Sequence, residues 1–480
     1  MSALDISRIE TLPALAWIAR VSGPRARFTC GTGVRLDGAG VFEGAWSDAH
    51  GAESPAQATE VFGSGLCFEQ GDWVATPPSH LLECLYLLRG AEGWVVSNSL
   101  ALLRAETGFA FTMTGRALLG ALAEAAASLR TAPTVIPTTH GDLHLVYHHN
   151  VRLRGAAECA PKPPAPAFAR FEDYRRYLLD TLNAVSRQTG RRFLAAVSSG
   201  YDSVACAALL HTLGSGEAVS FRRARGGGDD SGAEIARGLG LAAVEFDRPT
   251  GVEATTLAPF LCAGLGGEDA LYAALAERLN GRIFVTGFHG DKIWDLSAAP
   301  NAMLRRGDLS GASLGEFRLQ RDFVHVPVPF IGGLRHPELD AIARSPELER
   351  YRVGGSYDRP IARRLAEEAG VPRGAFGVRK RAVSLHSVSR DAGAAPPTAR
   401  LHHLAGVAAW RLMHGGARRL GPLRRPALAA SEWLFPRAFG QPFVVFEHAD
   451  PAAEAAFAAA LETVSARYRA SLRGRRPAYA

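Results

Sequence analysis

Between residues 193 and 287 the chain alternates short apolar runs with amphipathic ones, and this rhythm constrains the fold more than any other feature. Phe193-Leu-Ala-Ala-Val197 has the length and composition of a buried strand. A polar turn follows, then a helical run at 203–213 and a strand at 217–223. A helix at 230–239, opened by Asp229, Asp230 and Ser231 as N-caps, leads to a strand at 242–247, a helix at 268–279 and a strand at 282–287. Apolar strands separated by helices predict a parallel sheet covered on both faces.

Upstream, residues 161–168 read Pro-Lys-Pro-Pro-Ala-Pro-Ala-Phe, and four prolines in eight positions block helix and sheet pairing alike, so this segment is a linker. Before it, strand-length stretches at 14–21, 27–36, 62–68, 84–89, 93–97 and 144–152 alternate with glycine and polar turns, with a helix near 115–129. The first 160 residues therefore predict a mostly antiparallel domain. A helix spans 169–189, the pattern beyond 340 is helical, and 397–480 is rich in Ala and Arg with helical character. A chain of 480 residues exceeds one ordinary core, in agreement with this division.

Charge and cysteines narrow the class. The net charge of +7 would suit a nucleic-acid partner, but only three of the 54 basic residues are lysine (Lys162, Lys292, Lys380) and the arginines are spread along the chain. That pattern reads as compositional bias, with no nucleic-acid module. A lysine kept in such a chain points instead to chemistry that a planar guanidinium cannot replace. Six scattered cysteines with no CxxC argue for reduced thiols rather than a disulfide scaffold or structural zinc. No apolar run reaches the roughly 20 residues of a membrane span, and the first thirty residues lack a signal-peptide pattern. The expectation is a cytoplasmic enzyme without membrane or nucleic-acid partners.

Val197-Ser198-Ser199-Gly200-Tyr201-Asp202-Ser203 lies between a buried strand and a helix. A small-residue turn there points backbone N–H groups and hydroxyls at one spot above a helix N-terminus, an anion cradle suited to a phosphate. Asp202 suits no direct phosphate contact, but it does suit a magnesium ion shared between carboxylate and phosphate oxygens. His140, His144 and His148 predict one face of a strand, yet neighbours four apart lie about 13 Å from each other, too far to share a metal.

These segments resemble the asparagine synthetase-like branch of the ATP pyrophosphatases. Ser198-x-Gly200-x-Asp202-Ser203 is similar to that family's pyrophosphate loop. Phe284-Val-Thr-Gly287-Phe288-His289-Gly290-Asp291 resembles its Ser-Gly-Glu-Gly-x-Asp-Glu segment, and Val326-Pro-Val-Pro-Phe330 its Arg-Val-Pro-Phe-Leu-Asp. Gly377-Val-Arg-Lys380-Arg follows a predicted helix at 359–369, where the family keeps a lysine. Trp94-Val-Val-Ser-Asn-Ser-Leu100 resembles a strand and turn of the glutaminase domain. The resemblance implies an α/β chain: a degenerate Ntn-like α+β domain over 1–160, a PP-loop (HUP-like) parallel-sheet domain over 169–395, and a helical extension over 396–480.

By that resemblance, Val197, Ser198, Ser199, Gly200, Tyr201 and Ser203 hold the pyrophosphate of ATP, Asp202 and Asp291 share magnesium, and Phe221 and Gly287 border the adenosine. Lys380 neutralises charge on the α-phosphate. The departures are equally specific. Ser2 stands where the glutaminase carries its N-terminal cysteine nucleophile, and the strand-like segment Leu15–Arg20 has none, so that activity is expected to be lost. Phe288 replaces the family glutamate, Lys292 the acid after the metal aspartate, and Gly332 the aspartate of the Pro-Phe-Leu-Asp segment. His289, beside the missing glutamate, is the candidate base with a pKa near neutrality. The combination is similar to β-lactam synthetases and lasso-peptide cyclases, which join a carboxylate to a substrate amine.

The expected activity is an ATP- and Mg²⁺-dependent amide ligase that forms AMP and pyrophosphate, acting on a small-molecule or peptide carboxylate and amine. The alternative is a nucleotide-binding scaffold of the same fold without catalysis. Transfer of the adenylate to sulfur or to a nucleic-acid base is disfavoured by the lack of paired cysteines and of an RNA module. The helical C-terminal region is open to a partner protein.

Overall fold

The computed structural model describes residues 3–47, 51–113, 115–127, 129, 132–224, 228–249, 254–300, 304–306, 309–355, 357–377 and 451–474. Lys380 and most of the predicted extension at 396–480 lie outside these residues.

Two sheets form the first unit. The larger has seven strands in the order Ala3–Arg8, Arg25–Cys30, Trp17–Ser22, Gly93–Ser97, Leu85–Gly90, Gly141–Val146 and Thr134–Thr138. The smaller has six: Ala157–Ala160, Asn150–Leu153, Asp72–Thr76, Glu60–Glu69, Gly40–Ser47 and Arg35–Asp37. Side chains alternate across a strand, and the cores follow that period. Trp17, Ala19, Val21, Leu85, Leu87, Trp94 and Val96 meet Leu66, Trp73, Ala75, Val151 and Leu153 in one apolar layer between the sheets. Ile18, Tyr86, Leu88 and Val95 point the other way and share a core with Leu100, Leu103, Leu118 and Leu122 of the helices Leu100–Thr107 and Gly115–Ala127. The first of these helices is capped by Ser99 Oγ, which accepts from the Leu102 N–H, and stops at Gly108 with φ 74°.

Helix Phe171–Thr189 opens the second unit, and its sheet is wholly parallel. Its spatial order is Ala242–Phe246, Glu217–Phe221, Phe193–Ala196, Ile283–Thr286, Val324–Pro327. Numbered along the chain this is 3-2-1-4-5, so the winding reverses between the first and fourth strands. One face packs on Val204, Ala205 and Ala236; the other packs on Phe260, Leu271, Leu275 and Phe317. Burial on both sides accounts for strands without polar alternation.

Several expectations need correction. The run at 144–152 is two strands belonging to different sheets, divided at Tyr147–His149, where His148 takes φ 60°. His140 therefore sits in a turn, His144 on a strand and His148 in the crossover, with no common face. No group of three or more His, Cys, Asp or Glu able to hold a metal occurs among the described residues. The helix at 268–279 is 3-10 over Glu268–Leu275 before a short α-turn at Ala276–Leu279. The proline segment has no regular structure, but it is not a loose tether. Lys162, Ala165 and Phe168 are buried, and the Ala165 carbonyl accepts from Arg335.

Helix Pro451–Arg473 docks within the chain. Phe457, Leu461, Val464 and Tyr468 are buried, the helix lies against Leu100–Thr107 and Ala254–Leu261, and the Tyr468 hydroxyl donates to Glu316 at 2.6 Å. This contact joins the two units. No helix among the described residues is long and apolar enough to cross a membrane.

Candidate functional site

In a doubly wound sheet the loops leaving the strands on either side of the reversal diverge and open a crevice. Here those strands are Phe193–Ala196 and Ile283–Thr286, and their outgoing loops are the two motifs singled out in the sequence. A cavity of about 230 Å³ lies there. Its walls include Val197, Ser198, Gly200, Asp202, Ser203, Phe221, Gly287, His289 and Asp291. Nine candidate residues drawn from three strand ends thus share one cavity.

The first loop is tied by its own hydroxyls. Ser203 Oγ accepts from the Ser198 N–H at 3.0 Å and sits 3.0 Å from Ser198 Oγ, which in turn accepts from the Gly200 N–H at 3.2 Å. Helix Tyr201–Thr212 begins at this knot, so its N-terminal amides face the cavity mouth with the positive end of the dipole. Two predicted contacts fall elsewhere. Ser199 Oγ donates to Asp230 at 2.6 Å and pins the loop to the next strand's exit, so Asp230 is a clamp rather than a helix cap. The Tyr201 ring is fully buried behind the loop against Tyr357 and Phe376, and its hydroxyl accepts from Arg363 at 2.6 Å.

The second loop closes on the first through glycine. A Cβ on Gly287 would lie 2.6 Å from Asp202 Cβ, and one on Gly290 would lie 2.2 Å from Asp202 Cγ. Only hydrogen fits there, so these glycines set the distance between the loops that carry Asp202 and Asp291. Each carboxylate has a cationic neighbour. Arg359, 2% exposed, forms an ion pair with Asp202 and a second with Asp295 at 3.0 Å, and its guanidinium lies 4.9 Å from the Tyr357 ring centroid. Lys292 Nζ lies 3.3 Å from Asp291. Arg359 lines the cavity and escaped the sequence reading, although it falls at the start of the helix flagged at 359–369. Two carboxylates beside a cradle of N–H groups fit a magnesium ion bound largely through phosphate oxygens.

An apolar wall completes the cavity: Val219 and Phe221 from one strand, Leu271, Tyr272 and Leu275 from the 3-10 segment, and Phe288. Asp269 is buried beneath it, accepting from the Gly311 N–H at 2.8 Å and from the Ser313 hydroxyl at 2.7 Å, which anchors the 310–313 loop. The wall is apolar and partly aromatic.

His289 is not the near-neutral base that its position suggests. It takes φ 77°, stacks on Phe330 at 4.3 Å and 13°, and burial pushes its pKa down to about 3. The ring therefore stays uncharged at neutral pH. Gly332 is glycine for steric reasons: φ is 68°, a Cβ would meet Phe168 at 2.9 Å, and its N–H donates to Glu60 at 2.8 Å. Lys380 lies outside the described residues. Missed as well was Thr286, a cavity-lining hydroxyl 2.9 Å from His325 Nε2.

In the first unit the Asn98 side chain bridges back to the chain at 15–17, donating to the Leu15 carbonyl at 2.9 Å and accepting from the Trp17 N–H at 3.0 Å. Leu15 and Ala16 are buried, so this corner is filled by the chain itself. Neither a family model nor a curated protein sequence matches this chain.

Proposed function

We propose that the chain is an ATP-dependent amide ligase that adenylates a carboxylate and passes the acyl group to an amine from a source other than glutamine. In this reading the second unit is a PP-loop ATP pyrophosphatase domain of HUP-like topology, and the first is a degenerate Ntn-like domain. The observation that carries it is the meeting of two loops at the winding reversal, where Asp202 and Asp291 line one cavity with the Ser198–Ser203 knot.

The chain's own contribution is placement and charge. Amides at the start of helix Tyr201–Thr212, with Ser198 and Ser203, would hold the pyrophosphate, and Arg359 would face the same oxygens. Phe221 and Tyr272 would wall the base. Magnesium, held by Asp202 and Asp291, would neutralise phosphate charge as the α-phosphorus–oxygen bond breaks. A substrate carboxylate attacks that phosphorus, and an amine then displaces AMP. Lys380 is assigned to the same charge by resemblance alone.

The test is magnesium-dependent exchange of labelled pyrophosphate into ATP, run against pools of carboxylic acids with wild type and Asp202→Ala. Exchange that requires one acid and vanishes in the variant is expected. The pairing of Asp202 with Arg359 and of Asp291 with Lys292 favours a second reading, a nucleotide-binding scaffold without catalysis. ATP binding that is indifferent to magnesium, with no exchange in any pool, would replace the ligase reading with that one.

A further inference from the structure

An amine that attacks an activated acyl carbon must lose a proton; Phe288 has no group to take it, and the His289 ring is stacked face to face on Phe330. The cavity wall offers another route. Thr286 Oγ1 lies 2.9 Å from His325 Nε2, and the His325 Nδ1 lies 3.8 Å from Glu83 Oε1. Glu83 belongs to the first unit, between the strands Asp72–Thr76 and Leu85–Gly90. We propose that Thr286, His325 and Glu83 form a proton relay for the amine half-reaction, so that the first unit supplies the carboxylate end of the base. The inference rests on the ligase reading above.

Packing fixes the order of the groups. His325 is 1% exposed and its ring is held between Phe284, at 5.7 Å and 29°, and Phe288, at 5.9 Å and 90°, with His80 at 6.0 Å. Phe288 thus serves as a wall for the imidazole where a glutamate would otherwise stand. The His325 Nδ1 has no hydrogen-bond partner, and Glu83 is the carboxylate placed beside it.

The charge behind the ring is unbalanced. Arg318 donates to Glu83 through Nε at 2.6 Å and to both oxygens of Glu43 at 2.7 Å. One guanidinium faces two carboxylates, all with side chains no more than 8% exposed, which leaves one negative charge in excess. That excess is the kind of buried charge that a proton relieves, and burial with Glu43 nearby pushes Glu83 up to about 7 against the opposing pull of Arg318. Facing His325 are Glu83, the Arg318 cation and the neutral His80, whose own pKa burial drives well below the usual range. Burial and the Arg318 cation likewise push His325 down to about 3, so its ring is neutral at rest with Nε2 able to accept from Thr286. A cavity of about 30 Å³ bordered by Glu83, Arg318, Ser99 and Asn98 is large enough for a water.

The step balances. The amine nitrogen bonds to the acyl carbon, the bond from that carbon to the AMP oxygen breaks, and AMP leaves with the electron pair. The nitrogen's surplus proton passes to Thr286 Oγ1 as Thr286 gives its own to His325 Nε2. The imidazolium then lies beside the Glu83 carboxylate until the proton returns to solvent. Thr286 touches the substrate; His325 and Glu83 act through it as positioning residues.

The experiment uses the full chain, the acid that supports pyrophosphate exchange, and ammonium or hydroxylamine as amine probes. Thr286→Val and His325→Gln should lower amide formation from ammonium by roughly 100-fold, the scale of general-base catalysis, while exchange falls far less. Thr286→Ser should restore it. The deficit should shrink at higher pH and with hydroxylamine, whose more acidic adduct nitrogen sheds its surplus proton to water more readily; a structural defect would show neither response. Nitrogen-15 spectra of the imidazoles should find His325 protonated at Nδ1. Glu83→Gln should shift that signal, a readout that survives if the variant is slow. Amide formation unaltered in His325→Gln, or a proton found on Nε2, overturns the relay alone. No exchange in wild type with any acid overturns the ligase reading and the relay with it.

Discussion

Glu60 stands where the smaller sheet of the first unit meets the second, and it gives a test of that dry interface. Its Oε1 accepts from the Gly332 N–H at 2.8 Å and from the Tyr177 hydroxyl at 3.1 Å, and burial raises its pKa to about 7. The folded pKa lies above the unfolded value of 4.5. The native state therefore holds the proton more tightly, and that stability is full below pH 4.5 and lost as pH rises through 7. At about 1.4 kcal/mol per unit the loss approaches roughly 3 kcal/mol. Glu60→Gln mimics the protonated acid: it keeps the acceptor for Gly332 and Tyr177 and carries no charge. It should match wild type near pH 5 and exceed it by about 3 kcal/mol near pH 8.5, measured by urea unfolding followed at the tryptophans. Lys162 supplies the opposite sign. Burial lowers its ammonium to about 7, against the attraction of Glu60, so its stability is lost as pH falls through that value. The two groups titrate as a pair, and Lys162→Met should gain on wild type as pH drops from 9 to 6. A Glu60→Gln advantage that stays flat between pH 5 and 8.5 would refute the buried, charge-excluding interface.

Other consequences follow from single contacts. Gly290→Ala would drive a methyl into the Asp202 carboxylate, held from the other side by Arg359, and should cost about 1–3 kcal/mol of stability and abolish any thermal stabilisation by Mg-ATP. Gly238→Ala is the matched control. It sits in a helix with nothing within 4 Å of a new Cβ, and should gain about 0.5–1 kcal/mol, read as a rise in Tm. Arg318→Met strands Glu43 and Glu83 without a counter-charge and should cost about 3–5 kcal/mol in denaturant unfolding at pH 8, with partial relief at pH 5, where Glu83, pushed up to about 7 by burial, takes up a proton.

The parallel sheet was legible because its strands are buried on both faces and written as apolar runs, and because the loops at their ends carry unusual composition. Its order was not, since pairing between the first and fourth strands joins residues ninety positions apart in register, Phe193 with Ile283. In the first unit glycine misled the reading. Gly40 and Gly44 resemble turn formers, yet they lie inside the strand Gly40–Ser47, where a Cβ would come within 2.1 Å of the Leu66 carbonyl oxygen and 2.0 Å of that of Phe62. Close strand approach and a turn leave the same letter in the sequence. The strands Ala3–Arg8, Asp72–Thr76 and Thr134–Thr138 were missed because a five- or six-residue run with charged or proline positions shows no dominant period.

The candidate site divides along the same line. Residues that act from a strand end, such as Ser198, Asp202, Gly287 and Asp291, could be found locally, because the backbone turn that presents them is encoded beside them. Arg359, Thr286 with His325, and Glu83 could not, because their meaning comes from what lies opposite. Arg359 reaches back 157 positions to Asp202, and Arg318 reaches 275 to Glu43. A buried charge is tolerable only with its partner in place, so these side chains can exist only once both units have docked. The Glu43–Arg318–Glu83 cluster is therefore evidence about the assembly and not about either unit alone. A first unit retained solely to cover the second sheet would be served better by apolar residues at 43 and 83. That it keeps two carboxylates against one arginine, next to a histidine that reaches the cavity through Thr286, is the physical reason to look for its role in the reaction and not only in the fold.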